Sequence, residues 1–269
     1  MFADASCSLT TPSRPLLAQW PRRRYGFSDG QRLRSGGGRS PVLYGKAMKA
    51  SGFLVPNLLE ALESTDGERA ATEYLSKNTI LLRWAFGSIG GHSAYVLQEF
   101  PIGISYKADF AVLTSWSGAW EVVFVELEPV AERLVTKQGV PTKRIAGAIK
   151  QIVDWDDYVI RNRASVQQDL ADWCKKKDKL KWETKGREPS NYTDDRLCDA
   201  KTHVRFRYGL VAGRRNQITS GERTQALKFA NRLDLNLRSY DAFVDIAEKL
   251  DSLKRNPNQT VSLVDFYGH

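Results

Sequence analysis

The sequence predicts an α/β fold with a mixed central β-sheet flanked by helices. Three observations predict it. Apolar runs of strand length, AYVLQEFPI, YKADFAVLTSW and AWEVVFVELEP, follow one another with short separations. A segment with helical spacing comes next: Ile145, Ile149, Ile152 and Val159 fall on one face after Pro141. Beyond it, the strand-like HVRFRYGLVAGRR and LNLRSYD alternate with the helix-like ERTQALKFANRL and DAFVDIAEKLDSL.

Each element has its own reason. PNLLEALEST reads as a short helix, and DGERAATEYLSKNTILLRWAF as one continuous helix with Asp66 as its N-cap. Ser117-Gly118 supplies the hairpin turn between the second and third strands. Pro141, whose fixed φ suits a first turn, opens the next helix. The charged stretch CKKKDKLKWETKGR (174–187) reads as a solvated helix end or loop. The strand through HVRFRYGLVAGRR ends at Gly213, and Asp241 caps the closing helix. No internal repeat is present.

Bulk properties narrow the function. A composition 42% hydrophobic and 10% aromatic supports a sizeable core, and no apolar run reaches the length of a membrane span. Cys7, Cys174 and Cys198 show no paired spacing, and His92, His203 and His269 are scattered. A disulfide framework, a zinc knuckle, a histidine-metal nuclease and a Ser-His-Asp hydrolase are all disfavoured, and a reducing cytoplasmic setting fits best. Of the net charge of +9, residues 1–48 hold +6, leaving +3 for residues 49–269. Overall charge therefore says little about whether the folded part binds DNA.

Residues 1–48 contain PSRP, PRRR and RSGGGRSP and have no apolar period, a composition that favours a disordered basic leader. Met48 leaves open that the leader is an overcalled start, and its arginines leave open a nucleic-acid-binding arm. Residues 49–269 are expected to form one domain.

The chemistry concentrates between residues 105 and 155. Asp109 interrupts an apolar strand, and the next strand ends in Glu126 and Glu128. Acids at the ends of apolar strands are costly unless paired, hydrogen-bonded or cation-bound. Period-two alternation sends Glu126 and Glu128 to one face and Val123, Val125 and Leu127 to the other. Asp109, Glu126 and the Leu127 carbonyl form a donor set suited to Mg²⁺ or Mn²⁺, with Glu128 holding a water or a second ion. A cation there would serve phosphate chemistry. Gln151, on the following helix, is placed to orient the water or touch a phosphate. Lys107 shares the Asp109 strand face and offers a positive charge.

These motifs resemble the PD-(D/E)xK nuclease core and, more closely, the Shedu family of anti-phage defence proteins. The resemblance runs through ERAATEYLSKN, KADFAVL, FVELEP, the A-x-x-Q-x-x-x-W pattern of LVTKQGVPTKRIAGAIKQIVDW, LVAGRR and LRSYDAFVDIAEKL. It implies a restriction-endonuclease-like core with Asp109 as motif aspartate, Glu126 as the E of E-x-K and Gln151 as the helix glutamine. Glu68 or Glu73 would be the acid from the first helix. The implied activity is Mg²⁺- or Mn²⁺-dependent hydrolysis of DNA, foreign or phage, by a homo-oligomer. Two positions depart from the pattern: Ala108 precedes Asp109, and Glu128 stands where E-x-K has lysine. The missing charge must then come from Lys107, Lys150 or the metal alone. The alternative is a nuclease fold that has lost cleavage and serves as a nucleic-acid-binding or scaffold protein.

Overall fold

A computed structural model describes residues 53–87, 93–116, 118–176, 189–191 and 193–255. The expected leader at 1–48, Ser117 and most of the charged stretch 174–187 lie outside the described residues. In chain order the helices and strands are α1 (Leu54–Glu63), α2 (Gly67–Lys77), α3 (Ile80–Phe86), β1 (Ser93–Ile102), β2 (Tyr106–Trp116) and β3 (Ala119–Leu127). Then come α4 (Lys143–Arg161), α5 (Arg163–Lys176), β4 (His203–Val211), α6 (Ser220–Arg232), β5 (Leu235–Arg238) and α7 (Asp241–Arg255). This is the α/β architecture the sequence predicts.

The five strands lie in sequence order. β1, β2 and β3 pair antiparallel, whereas β3–β4 and β4–β5 are parallel. The sheet changes character at β3, because a parallel neighbour needs a crossover and α4–α5 supplies one. Alternation along β3 builds two cores. Trp120, Val122 and Phe124 pack with α4, α5 and α6. Val123, Val125 and Leu127 pack with α1, α2, α3 and α7. β3 is therefore covered on both faces, which is why its run is almost wholly apolar.

Several boundaries differ from expectation. The helix predicted over 66–86 breaks at Asn78, whose backbone leaves the helical region (φ −121°) and whose side chain donates to the Tyr74 carbonyl. Local bonding by Asn competes with helix continuation. Asp66 flanks α2 but makes no side-chain cap bond. Thr142, rather than Pro141, starts α4, its hydroxyl accepting from Ile145 N–H. Asp241 is the first residue of α7, and its carboxylate accepts from Arg214 and from the Arg215 N–H. α5 was not anticipated: Val166, Leu170, Ala171 and Cys174 bury one face of a segment whose polar residues hide its periodicity.

Two interactions hold the ends of the chain segment together. Asp251, 1% exposed, accepts from the N–H groups of Leu54 and Val55, so α7 caps the start of α1. Gly213 folds the turn after β4 back on the loop after β3, donating to the Pro129 carbonyl and accepting from Tyr240 N–H. Its φ is +65°, and a Cβ there would stand 2.4 Å from the Glu132 carbonyl oxygen. Gly213→Ala is therefore expected to cost at least about 1–2 kcal/mol from left-handed backbone alone, and more from the backbone clash. Urea denaturation measures it, and an unchanged midpoint would contradict this account of the turn.

Candidate functional site

The site forms where two ladders stop pairing. The β2–β3 register ends at Phe110 opposite Val125. One step further, Asp109 stands level with Glu126, but the backbones do not bond. Instead the Leu127 N–H donates to the Asp109 carboxylate at 2.7 Å. On the other side of β2, the ladder skips from Gln98–Phe110 to Phe100–Ala108, with Glu99 between them at φ +51°. A left-handed non-glycine residue is uncommon and concentrates where function holds strain. The sheet thus opens around Asp109.

Glu126 continues the Trp120–Val122–Phe124 line toward α4, and Gln151 donates to it at 2.9 Å. Burial pushes the Glu126 carboxyl up to about 8, the Asp109 and Glu128 charges add to this, and the Gln151 bond opposes it. Asp109 is also raised, first by burial and then by the Glu68 charge, against the Leu127 N–H and Lys107. Negative charge is concentrated here beyond what the protein's own donors compensate.

Glu128 lies past the strand end. Its N–H donates to Val211 and its carbonyl accepts from Tyr240, buried in the opposite core. Its carboxylate, raised by burial and lowered by Arg144, is held by the Arg144 guanidinium. Arg144 also reaches Glu68 on α2 at 3.2 Å, linking helices from both faces across the end of β3. Arg144 escaped sequence reading, although a signal existed: it stands seven residues before Gln151, two turns along the same helix face.

The other expected residues fall as follows. Glu68 joins the cluster, contributing charge to Asp109, Glu126 and Glu128. Glu73 turns outward and pairs with Lys77. Lys107 pairs with Glu99 at 2.9 Å, and that carboxylate first, with smaller contributions from Asp109 and Glu126, holds its ammonium above its usual value. Lys150 pairs with Asp154 on its own helix and takes no part.

As the side chains stand, no three acids, histidines or cysteines among the described residues converge as a ready metal-ligand group. Asp109, Glu126 and Glu128 each face a different protein donor. The donor chemistry still fits a hard cation, because Mg²⁺ usually takes one or two carboxylates with waters and substrate phosphate. Asp109, Glu126 and the Leu127 carbonyl are the groups that would supply such a share, and burial with neighbouring acids raises the Glu126 carboxyl. Beside Glu68 lies an open groove of about 1090 Å³, lined by the α1–α2 corner, Gln98, Glu99 and the Arg214–Gln217 turn. That exceeds the ~300–1,000 Å³ of ordinary small-molecule pockets.

Fold and site define a class: mixed α/β domains with acids gathered where a sheet opens between helical layers. The family follows from sequence comparison. The family model described as Shedu protein SduA, C-terminal, matches residues 66–244, and the chain belongs to that family. Membership implies a part in anti-phage defence. The matched span contains Glu68, Asp109, Glu126, Glu128, Arg144, Gln151 and Tyr240. A search of curated proteins gave no match. No helix among the described residues is long and apolar enough to cross a membrane.

Proposed function

We propose that this protein is a metal-dependent DNA endonuclease of the PD-(D/E)xK type, acting on phage or other foreign DNA. The observation that carries the reading is Glu126, a half-buried carboxylate at a strand end, raised to about 8 and level with a second half-buried acid, Asp109. Such a pair is expensive for the fold and is accounted for by a divalent cation.

Asp109, Glu126 and the Leu127 carbonyl would hold Mg²⁺ or Mn²⁺. A bound cation supplies Lewis-acid polarisation of a phosphate oxygen and a more acidic water. The protein's own groups do the positioning. The Leu127 N–H fixes Asp109, and the Gln151 amide fixes Glu126. Gln151, at the same edge, can also orient a water. Glu128 and Glu68 share Arg144, which keeps their charge from adding fully to that of Glu126.

The test uses the full 269-residue chain with supercoiled and linear DNA. Cutting is expected with Mg²⁺ or Mn²⁺ and none with EDTA. Equal cutting in EDTA would remove the metal from the reading. One observation favours a second reading, a nuclease fold kept only for binding: the acid at Glu128 in place of the motif lysine. DNA binding without cation binding or cleavage would select it.

A further inference from the structure

We propose that Arg144 is the phosphate-contacting cation of this site, exchanging Glu128 and Glu68 for a DNA phosphate oxygen when substrate binds. The inference rests on the nuclease reading above.

The site lacks a positive charge where its motif would provide one, since position 128 is a glutamate. Two other cations near the site are engaged. Lys107 is tied to Glu99 and Lys150 to Asp154. Arg144 is also ion-paired, but differently. Its Nε and one terminal nitrogen bond Glu128 and Glu68, and its side chain is 53% exposed. A guanidinium carries five N–H donors, so three remain without a partner among the described residues. Glu68, one of its two partners, lines the open groove. The planar fork suits phosphate, which it can meet with two parallel bonds.

Position supports the exchange. Arg144 is in the first turn of α4, and Gln151 on the same face reaches Glu126. A phosphate brought toward Asp109 and Glu126 would therefore pass within reach of Arg144. The two carboxylate partners differ: Glu68 is 43% exposed and open to water, whereas Glu128 is 10% exposed and would need the bound cation to offset its charge. A purely structural clamp would need the two bonds already made and no more.

The experiment compares full-length wild type with Arg144→Ala and Arg144→Lys. Cleavage is followed with Mg²⁺, and DNA affinity is followed by anisotropy against salt in Ca²⁺. With Arg144→Ala we expect single-turnover cleavage to fall ~100-fold or more, with Mn²⁺ affinity retained. The slope of log affinity against log salt should shrink by about one. Arg144→Lys should keep the wild-type slope and recover part of the rate. If Arg144→Ala cuts within about threefold of wild type with an unchanged slope, the inference is overturned. It is equally overturned if both variants lose cation binding or fold, which would make Arg144 a clamp. If wild type does not cut, the nuclease reading fails separately, and the salt slope alone decides whether Arg144 touches phosphate.

Discussion

Glu126→Ala should abolish divalent-dependent DNA cleavage, by on the order of 10³-fold or more if a cation there contributes several kcal/mol to the transition state. The reasoning is positional. Glu126 is the acid that stands level with Asp109, is half-buried, and is bonded only by a neutral amide. Glu128 already has a guanidinium and Glu68 has part of the same one. Loss of the Glu126 carboxylate leaves a cation with Asp109 and one carbonyl, too few protein oxygens for a lasting site. Calorimetry should show Mn²⁺ binding weakened in parallel. Glu73→Ala, which removes only an exposed ion pair with Lys77, is the matched control and should cut like wild type. A Glu126→Ala protein that is folded and still cuts at the wild-type rate would falsify the assignment.

What the sequence reveals here follows from period and length. The bounds of β2 match the run YKADFAVLTSW because both of its ends and its alternation are written in side-chain polarity. The alternation along β3 is legible for the same reason, so Glu126 separates by face from Val123, Val125 and Leu127, while the layer it meets, α4, is set by the fold. The buried face of α2 separates Glu68 from Glu73. Ala71 and Leu75 are the buried positions of that helix. Glu68 lies three and seven residues before them, on the same stripe, whereas Glu73 does not. Arg144 was hidden more deeply. In KRIAGAIK it looks like one cation among several on a solvated face, and only the meeting of α4, α2 and the end of β3 gives it two carboxylate partners. Contacts between elements distant in the chain are set by packing: the seven-residue spacing to Gln151 marks the helix face of Arg144 but not the two carboxylates it meets. The opening of the sheet at Asp109 belongs to the same class, since it depends on Glu99 adopting a left-handed backbone.

Glu126→Gln should make the metal-free protein more stable at high pH, and the gain should vanish in acid. The ordinary carboxyl value is 4.5 and burial raises Glu126 to about 8. Below the lower value the group is protonated in both folded and unfolded chains, so its titration contributes no difference. Between the two values the unfolded chain releases its proton while the folded chain keeps it. The unfolded state is favoured increasingly as pH rises, and the full penalty is reached once pH passes the folded value. At ~1.4 kcal/mol per pKa unit the ceiling is about 5 kcal/mol; with water reaching the open strand end we expect about 2–4 kcal/mol. Glutamine keeps the size of the side chain and an oxygen to accept from Gln151 but cannot ionise, so the variant should lack this loss. Denaturant midpoints in EDTA at pH 4 and pH 9 measure it: similar at pH 4, with the variant ahead at pH 9. Adding Mn²⁺ at pH 9 should then raise wild type and leave the variant nearly unmoved, because only the carboxylate gains from the cation. A constant difference at both pH values would mean that Glu126 is not destabilised by its charge. Stability given up at one carboxylate and recovered on cation binding is the exchange expected of a working metal site.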